Sequence, residues 1–383
     1  MSQTKTKTTK RIHAIDVLRG LVILLMLVDH VRERFFYHHQ VTDPMDIDHT
    51  DPTLFFTRLS AHFCAPVFVF LTGLSAWLYQ NPNGKPKRNV SEYLLKRGLF
   101  LILLEISLIN FSWFGNYQNL YLQVIWAIGL SMIALALAVK LPRKLIGILG
   151  ILIVFGHNLL TPLQFSPGET AYPFWIILHD RGYLLQSEIL NIKISYPVLP
   201  WIGVIFLGYC AGVLYTSASL IKIRYKCLLT IGFGAFTLLA ILRGFNIYGE
   251  TIPWEGYSPK IQSLMSFLNF TKYPPSLDFL LLTLGMGALF LYLFERFESP
   301  WMNFLKIFGS VPMFVYVLHL YILLIAYQLL NIMYGSNKGD YFGVDHIAYV
   351  WGIAIFLALL LYWPAKKFGA YKKKSGHALL KYF

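Results

Sequence analysis

Apolar residues in this 383-residue chain come in runs of about 20, the length an α-helix needs to cross a hydrocarbon layer. Ten such runs lie near 14–31, 60–80, 94–114, 121–139, 144–160, 197–216, 227–245, 277–294, 304–330 and 344–363. Backbone polar groups inside such runs must bond within their own segment, so an all-α, polytopic transmembrane helix bundle is expected. The stretch YPFWIILH near 172–179 is too short to span and reads as a re-entrant or interfacial piece. An eleventh span would have to come from there. The first run holds Asp16 and Arg19 and continues into charged sequence, so it is not read as a cleavable signal. With 56% hydrophobic and only 14% charged residues, an ordinary soluble enzyme is excluded. Residues 1–383 are expected to form one integral-membrane domain, with 1–11 and 365–383 as basic cytoplasmic tails.

The formal charge of +14 does not point to nucleic acid. A nucleic-acid face gathers Lys and Arg on one surface, whereas here they sit in short clusters between apolar runs. With both termini placed inside and the runs alternating, most of the 33 Lys and Arg residues fall in inner segments. The reading is therefore ten spans, N-in and C-in, in the cell's plasma (inner) membrane. The long connections, near 32–59, 161–196 and 246–276, then lie outside, where a substrate site is expected. Gly208 and Gly212 form a small-xxx-small pair that implies close helix packing. Cys64, Cys210 and Cys227, odd in number and without a CxxC, read as small buried side chains.

Ionisable groups at membrane depth each need a partner or a task. Asp16 and Arg19 are three apart and share a helix face. His30 follows Arg19 by eleven residues, roughly three helical turns and about 16 Å of rise. Asp16, Arg19, Met26 and His30 thus form one stripe across most of the membrane. The competing reading is that Arg19 snorkels to lipid phosphates and His30 ends the helix. In the second run Arg58, His62 and Pro66 recur at spacing four, on one face, at the same outer level as Asp29, His30 and Arg32. A histidine beside a carboxylate can act as a general base, and arginines suit an anionic or polyhydroxylated ligand. An interfacial salt-bridge cluster is the plainer alternative.

His38, His39 and His49 share the next loop with Asp43, Asp46, Asp48 and Asp51 in no standard metal spacing, so no metal is expected. His38 and His39 remain alternative bases. Arg97 and Glu105 lie eight apart on one face of the third run, and Glu105 must be paired, protonated or solvated in a cavity. His157 and His319 read as satisfied buried histidines. No P-loop, GxGxxG after a strand, GxSxG or HExxH is present.

The runs IDVLRGLVILLMLVDHVRERFF and RLSAHFCAPVFVFLTGLSAWLY resemble the bacterial branch of the heparan-alpha-glucosaminide N-acetyltransferase catalytic-domain family, within the transmembrane acyltransferases. The resemblance rests on Asp29, His30 and Arg32 at the end of the first run and on Arg58, His62, Cys64, Ala65 and Pro66 in the second. LKRGLFLILLE, YPVLPWIGVIFLGYCAGVLY and FGSVPMFVYVLHLYILL agree more loosely. The spacing of Arg19 and His30 is also similar to that of membrane O-acyltransferases acting on surface polysaccharides.

The resemblance implies transfer of an acetyl group from cytoplasmic acetyl-CoA to an amino or hydroxyl group of a sugar or glycan on the far side. Asp16, Arg19 and Arg97 would then face CoA, and Arg32, Arg58 and His62 the acceptor. His30, supported by Asp29, would be the base or form an acetyl-histidine. By the family's pattern the histidine would instead be His38 or His39, with His30 at an asparagine's place. The lysosomal enzyme's lumenal N-terminal domain has no counterpart here, so heparan sulfate degradation is not carried over. A homodimer is admissible. Two other readings are a transporter of a polar anionic metabolite, with Glu105 and the histidines as proton relay, and a scaffold with interfacial charge clusters.

Overall fold

A computed structural model describes residues 13–216, 220–377 and Leu380. The expected tail 1–11 and the last residues of the tail 365–383 lie outside the described residues.

Helices occupy the apolar runs, but with breaks the run lengths do not reveal. α1 (His13–Phe35) is continuous. The second run is two helices, α2 (Pro52–Ala61) and α3 (Cys64–Gln80). Asp51 caps α2 by accepting from Thr53 N at 2.8 Å. The face through Arg58, His62 and Pro66 is interrupted at His62–Phe63. Pro66 has no N–H for the His62 carbonyl and its ring crowds that oxygen, so the helix restarts there. α4 (Val90–Leu104) widens into a π-turn at Glu105–Ile109 and ends as α5 (Asn110–Phe114), stopped by Gly115 at φ +69.

After strand β1 (Asn119–Leu122) come α6 (Val124–Ala138), α7 (Arg143–Gly156) and the seven-residue α8 (Tyr172–Leu178), the short piece anticipated near 172–179. Strands β2 (Gly182–Gln186) and β3 (Asn191–Ile194) then join β1 in a sheet of order β1–β3–β2. β1 runs parallel to β3, with Asn119 opposite Asn191, and β2 antiparallel. This small sheet is a departure from the all-α expectation. It hides in sequence because its strands are four or five residues long inside a long connection.

The rest is α9 (Leu199–Ala211), α10 (Ile221–Gly244), α11 (Lys260–Phe267), α12 (Leu277–Arg296), α13 (Met302–Ser310), α14 (Pro312–Tyr334) and α15 (Ile347–Lys374). The run 304–330, expected as one span, divides at Val311 (φ −138, ψ 52) because Pro312 disfavours a helical residue before it. α15 continues through Pro364, so the first part of the expected tail is helical to Lys374.

Among the described residues six helical stretches, counting α2 with α3 as one, are long and apolar enough to cross a membrane: Pro52–Gln80, Arg143–Leu160, Ile221–Gly244, Leu277–Arg296, Pro312–Tyr334 and Ile347–Lys374. The other four expected runs are helical too, but α1 and α4 carry charges, and α6 and α9 are short. Leu152, Phe233, Phe356 and Leu359 are exposed on α7, α10 and α15, an apolar surface that suits lipid and not water. The protein is a multi-pass membrane protein.

Reciprocal glycines set three helix crossings. Gly20 of α1 faces the Leu305 carbonyl and Gly309 of α13 faces the Asp16 carbonyl, each too close for a Cβ. Gly73 and Gly208 do the same for α3 and α9, with Gly212 against Trp77. Gly98 and Gly129 pin α4 to α6. Without a hydrophobic drive between helices in lipid, such backbone approach is what packs them.

At one end the three long connections meet. Asn269 bonds Met45 through both its amide groups (2.9 and 2.7 Å), and Tyr273 donates to Tyr196 at 3.0 Å. Arg243, 2% exposed, donates to the carbonyls of Phe267, Ile252, Ser266 and Asn269 at 2.6–3.1 Å, fixing the 246–276 connection.

Candidate active site

Beside the α1–α13 crossing, where Gly309 forms part of the wall, a cavity of about 330 Å³ follows α1 from Arg19 to His30. At one end it is lined by Arg19, Ser75, Tyr93, Arg97, Ser310 and Lys372. At the other it is lined by Asp29, His30, Tyr196, Lys272 and Tyr316. Ile23, Met26, Phe68 and Ile128 are among the apolar residues between. Arg19, Met26 and His30, expected on one stripe, all face this space. From Arg19 to His30 the helix rises about 16 Å.

The basic end is held open by side-chain bonds. Arg19 pairs with Asp16 at 3.2 Å and donates to Ser75 Oγ. Arg97 donates to Tyr93 O–H at 2.7 Å. Asp16 is buried, pairs with Arg19 and does not line the cavity, whereas Arg19 and Arg97, the other two expected CoA contacts, do. Glu105 parts from Arg97. The π-turn that begins at Glu105 turns its carboxylate to the start of α6, where it accepts from Trp126 N at 3.1 Å. It thus sits at the positive end of a helix.

At the far end His30 stands in an aromatic frame. Trp113 and Tyr316 meet its ring edge-on, at 5.1 and 5.7 Å between centroids. Its Nδ1 shares a hydrogen bond of 2.7 Å with His319 Nε2, and His319 Nδ1 bonds the Val315 carbonyl at 2.8 Å. His319 is therefore the second half of a histidine pair, more than the satisfied buried group its sequence suggested. Arg34 fixes Trp113 by donating to the carbonyls of Ser112 and Trp113 at the end of α5, at 2.8 and 3.0 Å.

Asp29 does not bond His30. Its carboxylate takes Arg32 at 2.9 Å and lies 4.0 Å from Lys272 Nζ. Arg32 also bonds Glu33 at 3.2 Å, and Arg58 pairs with Asp43 at 3.5 Å. Arg32, Arg58 and His62 are buried and do not line the cavity. His62 packs on Phe279. These three lie behind the His30 end, while Lys272 and Tyr196 occupy its wall. His38 and His39 lie beyond α1, packed against Phe36, and do not line the cavity either. His157 is buried, and its carbonyl accepts from His179 at 2.8 Å. Among the described residues no group of three or more His, Cys, Asp or Glu is gathered for a metal.

Lys272, Lys372, Tyr196 and His319 were not singled out for the site from sequence. The first three sit in a connection, a helical tail and a strand-to-helix link, and only His319 carried a signal, as a lone polar group in an apolar run.

A family model described as heparan-alpha-glucosaminide N-acetyltransferase, catalytic, matches residues 11–242, more than half of the chain. No curated protein matches the chain. The matched stretch supplies Arg19, Asp29, His30, Arg97 and Tyr196 to the cavity, and Lys272, Tyr316 and Lys372 come from beyond it. The match begins before α1 and runs nearly to the end of α10, taking in both runs that carry the motif residues Asp29, His30, Arg58 and His62. The chain belongs to the heparan-alpha-glucosaminide N-acetyltransferase catalytic-domain family, a family of membrane acetyltransferases.

Proposed function

We propose that the protein transfers an acetyl group from cytoplasmic acetyl-CoA to an amino or hydroxyl group of a sugar or glycan on the outer side of the plasma membrane. In this reading the chain crosses ten times with both termini inside. The observation that carries it is one cavity with Arg19, Arg97 and Lys372 at one end and His30 at the other. Three cationic side chains suit the phosphates of CoA. A volume of about 330 Å³ is at the small end of ligand sites. That suits the pantetheine arm and its acetyl group, with the nucleotide left at the mouth.

His30 takes the proton of the acceptor as its nitrogen or oxygen attacks the thioester carbonyl carbon. The carbon–sulfur bond then breaks, and His30 returns the proton to the CoA thiolate. Lys272 and Tyr196 are positioned to hold the acceptor. Arg32 and Arg58 shape that end from behind through the carboxylates they pair with, Asp29 and Asp43, and His62 does so by packing on Phe279. An acetyl-His30 intermediate is the covalent variant of the same chemistry.

The test is purified protein in nanodiscs with radiolabelled acetyl-CoA and glucosamine. Label should reach the sugar, and His30→Ala should lower the rate by about 10²–10⁴-fold. Absence of both acetyl-CoA binding and label transfer would sink the reading.

A further inference from the structure

The pairing of His30 with His319 fixes where the protons are. The Val315 carbonyl can only accept, so His319 Nδ1, 2.8 Å away, carries a hydrogen. His319 is 0% exposed, and among the described residues no carboxylate pairs with it. A second proton would leave an unpaired buried cation, so the ring is neutral and its Nε2 is a lone pair. That nitrogen lies 2.7 Å from His30 Nδ1, which must therefore supply the hydrogen. The two rings, 12° from parallel with centroids 5.0 Å apart, are compatible with an N–H···N bond that lies in both ring planes. Among the described residues no bond is made to His30 Nε2, and the ring lines the cavity. Asp29 offers no competing orientation, because its carboxylate is taken by Arg32 and faces Lys272.

We infer that His319 is the positioning residue of the site, locking His30 in the tautomer with hydrogen on Nδ1 and a bare, basic Nε2 facing the cavity. An unconstrained neutral histidine prefers the opposite tautomer, whose Nε2–H could take no proton. Resting on the acyltransferase reading, the pair completes the step above. As His30 Nε2 gains the acceptor's proton, the Nδ1–H to His319 becomes a charge-assisted bond that steadies the imidazolium. His319 itself neither gains nor loses a proton and touches no substrate. It lies in α14, outside the matched residues 11–242.

Nitrogen-15 NMR of histidine-labelled full-length protein reads the tautomer directly. The His30 signals are those lost in His30→Gln. Wild type should show a protonated Nδ1 and an unprotonated Nε2, and His319→Leu should shift the hydrogen towards Nε2. His319→Gln, whose side-chain oxygen can accept from Nδ1, should keep the wild-type pattern. With acetyl-CoA and glucosamine, His319→Leu should lower kcat by about 10²-fold or more at little change in KM. His319→Gln should stay within about tenfold of wild type. A wild-type His30 carrying its hydrogen on Nε2, or one whose tautomer ignores His319→Leu, overturns the inference, as does a Gln variant no more active than Leu. If the wild type transfers no label, the acyltransferase reading fails at this acceptor, and the spectra still decide the pair.

Discussion

Gly98→Ala places a methyl group where two helices already touch. A Cβ at position 98 would lie 2.6 Å from the Gly129 carbonyl oxygen and 2.9 Å from Ile133 Cγ1, and one at position 129 would lie 2.8 Å from the Gly98 oxygen. Ordinary contact begins near 3.4 Å, so α4 and α6 must part by about 0.8 Å at this crossing. The obstacle is backbone, which cannot swing aside as a side-chain tip does. Overpacking of this kind costs about 1–3 kcal/mol, and a backbone clash belongs at the upper end. Gly98→Ala and Gly129→Ala need the same gap, so the double variant should lose less than the sum, with coupling of about 1 kcal/mol or more. Gly352→Ala on α15 is the control. Nothing lies within 4 Å of a Cβ there, and the helix should gain about 0.5–1 kcal/mol. Thermal unfolding in one fixed nanodisc composition reads all four variants. Because Arg97 adjoins Gly98 on the cavity wall, KM for acetyl-CoA should rise with the loss of stability. A Gly98→Ala protein that melts like wild type, or strict additivity with Gly129→Ala, would refute the crossing as described.

Three further outcomes are expected. Arg19→Gln should raise KM for acetyl-CoA by about 10–100-fold, the loss of a charge-assisted bond, while kcat changes far less; an unchanged KM removes Arg19 from the donor site. Arg224→Met should destabilise by about 3–5 kcal/mol, because it strips Glu295 of a buried partner held at 2.7 and 2.8 Å, whereas Arg224→Met with Glu295→Leu should recover much of that, as melting curves would show. The hydrogen bond and charge of Asp46 raise the pKa of His49, both side chains being exposed in the 43–51 loop. The pair's contribution is thus present below the ordinary histidine pKa and lost as pH rises through the raised one, and an NMR titration should see that midpoint fall in Asp46→Asn.

Apolar run length revealed where the helices are, and charge at depth revealed the stripe of α1, because both follow from local composition. The break at His62–Phe63 and the division at Val311 were written in Pro66 and Pro312, yet each sits inside an uninterrupted apolar run that conceals it. The cavity was legible on one side only. Arg19, Met26 and His30 declare themselves by helical spacing, but Lys272 and Lys372 are ordinary loop and tail lysines until distant segments bring them in. Pairing was the least legible of all. Asp29 precedes His30 in sequence, yet on a helix adjacent residues point about 100° apart, so its carboxylate meets Arg32 three residues on. His30 finds its partner 289 residues away.

That distance gives α1 two kinds of charge with different histories during synthesis. Asp16 with Arg19, and Asp29 with Arg32, close their ion pairs at three-residue spacing inside one helix. α1 therefore neutralises these four groups by itself, and it can enter an apolar phase before the helices that follow it are made. His30 has no such provision. Its ring receives a partner only when α14 has been made, so a nascent chain or one truncated before α14 carries the histidine with its tautomer unset, and the base is assembled long after its own helix.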